Sequence, residues 1–176
     1  GLQFGSWVTN RARLLVAVIL LVSVHWIFLG QPLPLDASPE RWLWLGASGI
    51  IGLVLGDLFL FQAYIWIGPR LGLLLLSLAP VLSALLAWLL LGEVLTLFDI
   101  LGITATLGGI AWVILEPGRG SANRPDRSMY ARGVLFGFLA AAGQAGGLVL
   151  AKKGLGGDFP ALSGNVMRMS VALVTL

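Results

Sequence analysis

The stretch LGLLLLSLAPVLSALLAWLLLG, Leu71 to Gly92, decides the fold. It carries no charged side chain over a length that matches the roughly 20 apolar residues a helix needs to cross a bilayer. A helix apolar on every side has no face to turn to water, so it is buried in protein or lipid. Further stretches read the same way. Leu14 to Gly30 holds no ionisable group except His25, and Trp42 to Pro69 holds only Asp57. Ile100 to Leu115 and Gly133 to Ala151 hold none, and a sixth stretch begins near Met169 and is cut at Leu176. Composition agrees: 58% of the residues are hydrophobic and 11% charged, where a soluble domain carries roughly 25% charged residues. The sequence therefore predicts an all-α integral membrane protein, a polytopic helical bundle with five crossings and part of a sixth.

The breaks between these stretches carry turn chemistry. Gln31-Pro32-Leu33-Pro34 and Ser38-Pro39-Glu40 separate the first two, and Gly68-Pro69-Arg70 is a tight reversal. Gly92-Glu93 to Asp99 ends the third, and Gly154 to Pro160 is rich in glycine. Pro117 to Tyr130 is the long polar linker, with Arg119, Arg124, Asp126 and Arg127. Trp42, Trp44, Trp66, Trp88 and Trp112 cluster near the predicted helix ends, as an interfacial aromatic belt requires. The formal charge of +3 and the lack of a basic run with interleaved aromatics argue against nucleic acid as a partner. With no cysteine, thiol catalysis and thiolate metal sites are excluded. Gly1 is not a Met and Leu176 lies inside an apolar run, which reads as a fragment cut at both ends.

Two helix starts match. Asn10-Arg11-Ala12-Arg13-Leu14-Leu15-Val16-Ala17 and Asn165-Val166-Met167-Arg168-Met169-Ser170-Val171-Ala172 both read N-x-x-R-x-x-V-A, with Phe4 and Phe159 in the same register. The coincidence of Asn and Arg carries weight because polar residues are scarce here. A repeat at this spacing has a period of five helices. Five is odd, so the second copy enters the membrane from the opposite side, the inverted-topology arrangement of many secondary transporters.

The run Leu78-Ala79-Pro80-Val81-Leu82-Ser83-Ala84-Leu85-Leu86-Ala87, then Leu91-Gly92-Glu93, then Gly102 and Gly108-Gly109-Ile110 resembles the EamA domain of the drug/metabolite transporter superfamily. Gly56-Asp57 with Ala63 and Gly68 is similar to the preceding helix of that domain, and the Arg13 helix start fits its second helix. The resemblance implies ten helices in two inverted five-helix repeats. Residues 1–116 would be helices two to five of the first repeat, 117–130 a linker and 131–176 the start of the second. It also implies a multi-pass protein of the cell membrane that transports, and often exports, small metabolites or drug-like molecules. It implies no cofactor and names no substrate.

Several residues are candidates for carrying transport. Pro80 lacks a backbone donor and crowds the carbonyl of Leu76, so it breaks its helix, as a hinge or as a static kink. Ser77 and Ser83 are placed to satisfy the freed group. Asp57 lies inside an apolar segment, where a carboxylate costs roughly 2.5–3.5 kcal/mol on insertion scales. It is expected to face the bundle interior, as a structural hydrogen-bonding group or as a titrating one that couples transport to a proton or another ion. Phe61 and Tyr64 follow it on the same face. Glu93 ends its helix as an interfacial group or a gate, better placed toward the start of the next helix near Leu97-Phe98-Asp99. Gln144 sits among glycines at mid-membrane, for helix contacts or substrate. Arg13 and Arg168 either reach to headgroups or attract anionic substrates in a cavity. His25 is expected at the interface, and no metal site is read from it. Small-residue stripes (Ser77, Ala84, Ala87; Gly102, Thr106, Gly109; Gly133, Gly137; Gly143, Gly147) predict close helix packing.

Sidedness draws two opposed expectations. Arg11, Arg13, Arg70, Arg119, Arg124, Arg127 and Arg132 fall on one side, and Arg41, Lys152, Lys153 and Arg168 on the other. The positive-inside rule puts the first set and the linker in the cytoplasm, whereas the resemblance puts that linker outside, and the reading follows the resemblance. A membrane enzyme and a non-transporting structural membrane subunit are the competing classes: the first needs clustered acid–base and nucleophilic groups where this chain offers one histidine, and the repeat argues against the second. No phosphate-binding loop is present to support ATP-driven pumping.

Overall fold

The computed structural model describes residues 6–115 and 127–176. All the regular structure among them is helical. Most of the predicted linker, with Arg119, Ser121, Arg124 and Asp126, lies outside the described residues, as does Phe4 of the repeat match. Among the described residues, three helical stretches are long and apolar enough to cross a membrane: Asn10–Leu29, Pro39–Leu76 and Arg127–Gly154. Two apolar helices, Ala79–Leu91 and Leu97–Val113, are shorter. Large apolar side chains point outward along these helices, with Ile27 and Phe98 each more than three-quarters exposed. Such faces are at home in lipid and not in water.

The chain divides into two compact units, Gly1–Leu58 with Gly146–Leu176, and Phe59–Ala145. The first unit is built on α1 (Ser6–Leu29), α2 (Pro39–Gly49), a π-helical segment (Ile50–Gly56), the last two turns of α6 (Arg127–Gly154) and α7 (Ala161–Thr175). Helix α1, at 1.5 Å per residue, is about 36 Å long and spans a hydrocarbon core with some to spare. The start of α2 follows from its sequence. Pro39 fits the first helical position, where its missing N–H costs nothing, and Ser38 caps the helix by accepting from the Arg41 amide at 3.4 Å. Leu14, Val54 and Ala172 form one core of this unit, and Leu45, Ala151 and Met167 another. Close approach is set by glycine: a Cβ on Gly147 would stand 2.8 Å from the Gly52 Cα, and Ser48 Oγ donates to the Gly147 carbonyl at 2.6 Å.

The second unit runs from Phe59 through the rest of α3 (Asp57–Leu76), α4 (Ala79–Leu91), α5 (Leu97–Leu115) and the first part of α6. The reversal expected at Gly68-Pro69-Arg70 is present as a break inside α3, where Gly68 takes φ +80°. That is a conformation only glycine adopts cheaply. The stretch from Leu71 to Gly92, expected as one helix kinked at Pro80, is instead two. Helix α3 ends at Leu76, Ser77 and Leu78 turn, and Pro80 sits in the first turn of α4. There the proline's missing donor is an orphan position anyway. The Ser77 hydroxyl binds the Leu74 carbonyl at 2.6 Å rather than that of Leu76. Helix α4 ends at Gly92, φ +69°, where the Gly92 and Glu93 amides close back on the Ala87 carbonyl, the second at 3.4 Å, a left-handed glycine stop.

Leu75, Leu78, Ala79, Ile110 and Ala141 form this unit's core. Phe136 meets Phe59 and Trp66 edge-on at 5.5 and 4.8 Å. The predicted close packing occurs at Gly133, covered by Ile67, and at Gly137, covered by Leu75. It does not occur on α5: a Cβ on Gly102, Gly108 or Gly109 meets nothing within 4 Å, and the Thr106 hydroxyl turns back to the Gly102 carbonyl.

Candidate functional site

Helix α1, the π-helical segment and the first residue of α3 bring one cluster of polar groups together in the first unit's interior. In a π turn the backbone hydrogen bonds run five residues on, the ladder widens, and a carbonyl is left outside the α pattern. The Leu53 carbonyl lies in this segment, and Asn10 Nδ2 donates to it at 3.0 Å. Asn10 is fully buried, and its Oδ1 accepts from Arg13 Nη2 at 3.1 Å. The same Arg13 nitrogen forms an ion pair with Asp57 Oδ2. Asp57 is the residue at which the π segment gives way to α3, and its carboxylate is 4% exposed, whereas the Arg13 side chain is about half exposed. Asn10, Arg13, the Leu53 carbonyl and Asp57 thus form one chain of hydrogen bonds inside an apolar bundle.

The physical logic is that of a buried charge. A lone carboxylate at this depth is costly, and pairing with a guanidinium that keeps one side toward solvent offsets the cost without a second full desolvation. Asn10 then fixes the arginine from behind. Two sequence candidates, Arg13 and Asp57, are brought together across 44 residues.

Arg168 takes a different place. It is half-buried on α7, its Nε is buried without a hydrogen bond, and its carbonyl lies against Gly49 at the entry to the π segment. Any side chain at Gly49 would collide with that carbonyl. Tyr64 belongs to the second unit, where it covers Gly72 and meets the Phe61 ring edge-on at 6.1 Å. Gln144 is half-buried on the part of α6 that belongs to the second unit. Glu93 follows the α4 stop and is half-buried. The acid that serves the start of α5 is Asp99. Its Oδ2 accepts from the Thr96 amide at 2.8 Å and the Thr96 hydroxyl at 2.6 Å. It precedes the apolar run from Ile100, and those two hydrogen bonds hold its carboxyl below the usual carboxylate range.

His25, expected at the interface, is fully buried. Its Nδ1 faces the Gln31 carbonyl at 2.6 Å, so that nitrogen carries the proton, and Nε2 accepts from Ser163 Oγ at 2.9 Å. The bond ties the end of α1 to the start of α7. Sequence reasoning missed Asn10 as a site residue, His25 as a buried tie and the π segment altogether. The scarcity of polar residues was the available signal for the first two.

No curated protein and no solved structure matches the chain. The family model described as the EamA-like transporter family matches residues 2–115, well over half of the 176 residues. A multi-pass helical membrane architecture and a match of that extent make one conclusion: the chain belongs to the EamA-like transporter family.

Proposed function

We propose that this chain is the working part of a secondary transporter that exports small metabolites or drug-like molecules across the cell membrane by alternating access. The full transporter has ten helices in two inverted halves, of which residues 131–176 open the second. The observation that carries the mechanism is the Arg13–Asp57 pair beside the π-helical segment. Both charges stand where a change of partner changes the packing of three helices. Protonation of Asp57, or an anionic group on the substrate that takes Arg13, removes one half of the pair. The Asn10 hold on the Leu53 carbonyl then no longer has its arginine neighbour fixed in place, and the segment is released to rearrange. Tyr64, Gln144 and Arg168 are the further cavity candidates, and Pro80 and Glu93, at the start and just past the end of α4, the gating ones.

A transporter is favoured over an intramembrane enzyme on the disposition of the reactive groups. The one Ser–His contact found, Ser163 with His25, is buried on both sides, at 4% and 0% exposure, and so has no room for substrate.

The test is flux into vesicles holding the purified full-length protein, at several pH values and with and without an imposed proton gradient. The expected result is substrate movement whose pH dependence disappears in Asp57→Asn. Flux in Asp57→Asn that keeps the wild-type pH profile sinks the coupling role. A wild-type protein that moves no solute in a broad screen sinks the transporter reading.

A further inference from the structure

The cavity at the start of α2 and the end of α6 is separate from the Asn10–Arg13–Asp57 cluster. It has a volume of about 200 Å3 and is lined by Ser38, Glu40, Arg41, Trp44, Lys153 and Gly154. Two cations line it, each held by a neutral group. Arg41 Nη1 donates to the Gly154 carbonyl at 3.1 Å, and its guanidinium lies 4.5 Å over the Phe159 ring. Lys153 Nζ lies 3.9 Å over the Trp44 ring. A carbonyl and two aromatic faces fix the positions of these cations without neutralising them. The carboxylate of Glu40 is fixed as well, since its Oε1 accepts from Trp44 Nε1 at 3.3 Å. The cavity therefore presents two oriented cations and one oriented carboxylate within a single small space.

The location limits what can fill it. Helix α2 begins here and α6 ends here, each at the edge of its apolar run, with Trp42 and Trp44 at the same level. Tryptophan and basic side chains at this depth belong to the headgroup layer of a bilayer. The amide end of α2 adds partial positive charge near Arg41. A purely anionic ligand would meet Arg41 and Lys153 well but would also meet Glu40. A ligand with a phosphate and an ammonium a few bonds apart satisfies all three.

We propose that this cavity is a binding site for a zwitterionic phosphoethanolamine headgroup of a bilayer phospholipid. The phosphate sits against Arg41 and Lys153, and the ammonium against Glu40. The proposal rests on the membrane placement of the helices and not on the transport mechanism, so each stands or falls alone.

The experiment measures lipid retention by the purified full-length protein in detergent, by native mass spectrometry. The probes are phosphatidylethanolamine and phosphatidylglycerol of identical chains, soluble phosphoethanolamine and inorganic phosphate. Phosphatidylethanolamine is expected to bind several-fold more tightly than phosphatidylglycerol. Arg41→Gln should lower its retention about tenfold, the loss of one charge-assisted hydrogen bond. Glu40→Gln should abolish the preference between the two lipids while leaving phosphatidylglycerol retention unchanged or raised. Because Arg41 also holds the Gly154 carbonyl, Lys153→Gln serves as the variant that keeps the fold, with retention expected to fall several-fold. The proposal is overturned if wild type holds phosphatidylglycerol as well as phosphatidylethanolamine, or if Lys153→Gln retains wild-type lipid. It is also overturned if inorganic phosphate or soluble phosphoethanolamine displaces the lipid at equal concentration, which would make the site one for a free phosphate ester.

Discussion

Asn10-x-x-Arg13 on α1 and Asn165-x-x-Arg168 on α7 are the same four-residue pattern, yet they meet the continuous stretch of α2, the π-helical segment and the start of α3 in opposite ways. On α1 the side chains make the contact: Asn10 binds the Leu53 carbonyl and Arg13 binds Asp57. On α7 the backbone makes it: the Arg168 carbonyl fills the space where Gly49 has no side chain, while Asn165 is exposed. A repeated sequence therefore does not produce a repeated contact inside this unit. One copy supplies specific polar bonds to the segment, and the other supplies close packing. In the mechanism proposed above, the first kind of contact is the one a proton or a substrate charge would switch, and the second is the packed one.

The comparison is most sharply tested by truncating the two arginines. Arg13→Ala removes the ion-pair partner of the buried Asp57 carboxylate, which is expected to cost about 3–5 kcal/mol of stability. Arg168→Ala strands no hydrogen-bond partner of its Nε and is expected to cost under about 1.5 kcal/mol. Asp57→Asn falls between the two, because the arginine it deserts is half exposed and keeps solvent. Unfolding of each variant in a fixed detergent, followed by tryptophan fluorescence, gives the order. Equal losses at Arg13 and Arg168 would mean that the two helix starts are energetically alike and that the contrast drawn from the geometry is wrong.

The packing half of the comparison has its own variant. Gly49→Ala drives a methyl into the Arg168 carbonyl, and the overpacking is expected to destabilise by about 1–3 kcal/mol. Gly102→Ala on α5 meets nothing, so it is expected to be neutral or to gain up to about 1 kcal/mol from helix propensity. Both are single-methyl changes on helices, and only the first meets a neighbouring helix at that position. If Gly102→Ala proves as damaging as Gly49→Ala in the same unfolding assay, α5 packs against a surface that the contacts described above do not contain.

How far the sequence alone reaches follows the same division between local and distant. The helix breaks were legible because they are made by residues whose chemistry is local: Gly68 needs its positive φ, and Gly92 ends α4 in the left-handed region. The all-helical membrane fold was legible from the uncharged runs. The split of the Leu71–Gly92 stretch was half legible, since Pro80 announced a break but not that the chain would turn at Ser77 and Leu78 ahead of it. The site was not assembled by sequence reasoning, because Asp57 and Arg13 are 44 residues apart and Asn10 served only as a marker of the repeat. The π segment left no sign: IIGLVLG is as good an α-helical sequence as its neighbours, and only the carbonyl that Asn10 collects distinguishes it.

The smallest expected effect concerns the end of α1 that lies away from the Arg13 pair. There the tie to α7 is the Ser163 hydroxyl donating to His25 Nε2, with Nδ1 held by the Gln31 carbonyl. Ser163→Ala removes the donor and leaves a buried ring nitrogen without its partner, at a cost of about 1–2 kcal/mol. His25→Leu strands the buried Ser163 hydroxyl and the Gln31 carbonyl together, so it is expected to lose at least as much as Ser163→Ala. The two variants should leave the pH dependence of flux as it is in wild type, since neither touches Arg13 or Asp57. A change in that pH profile on His25→Leu would move the coupling group from the carboxylate to the imidazole, and the contrast between a switched α1 contact and a packed α7 contact would have to be redrawn around the histidine that joins them.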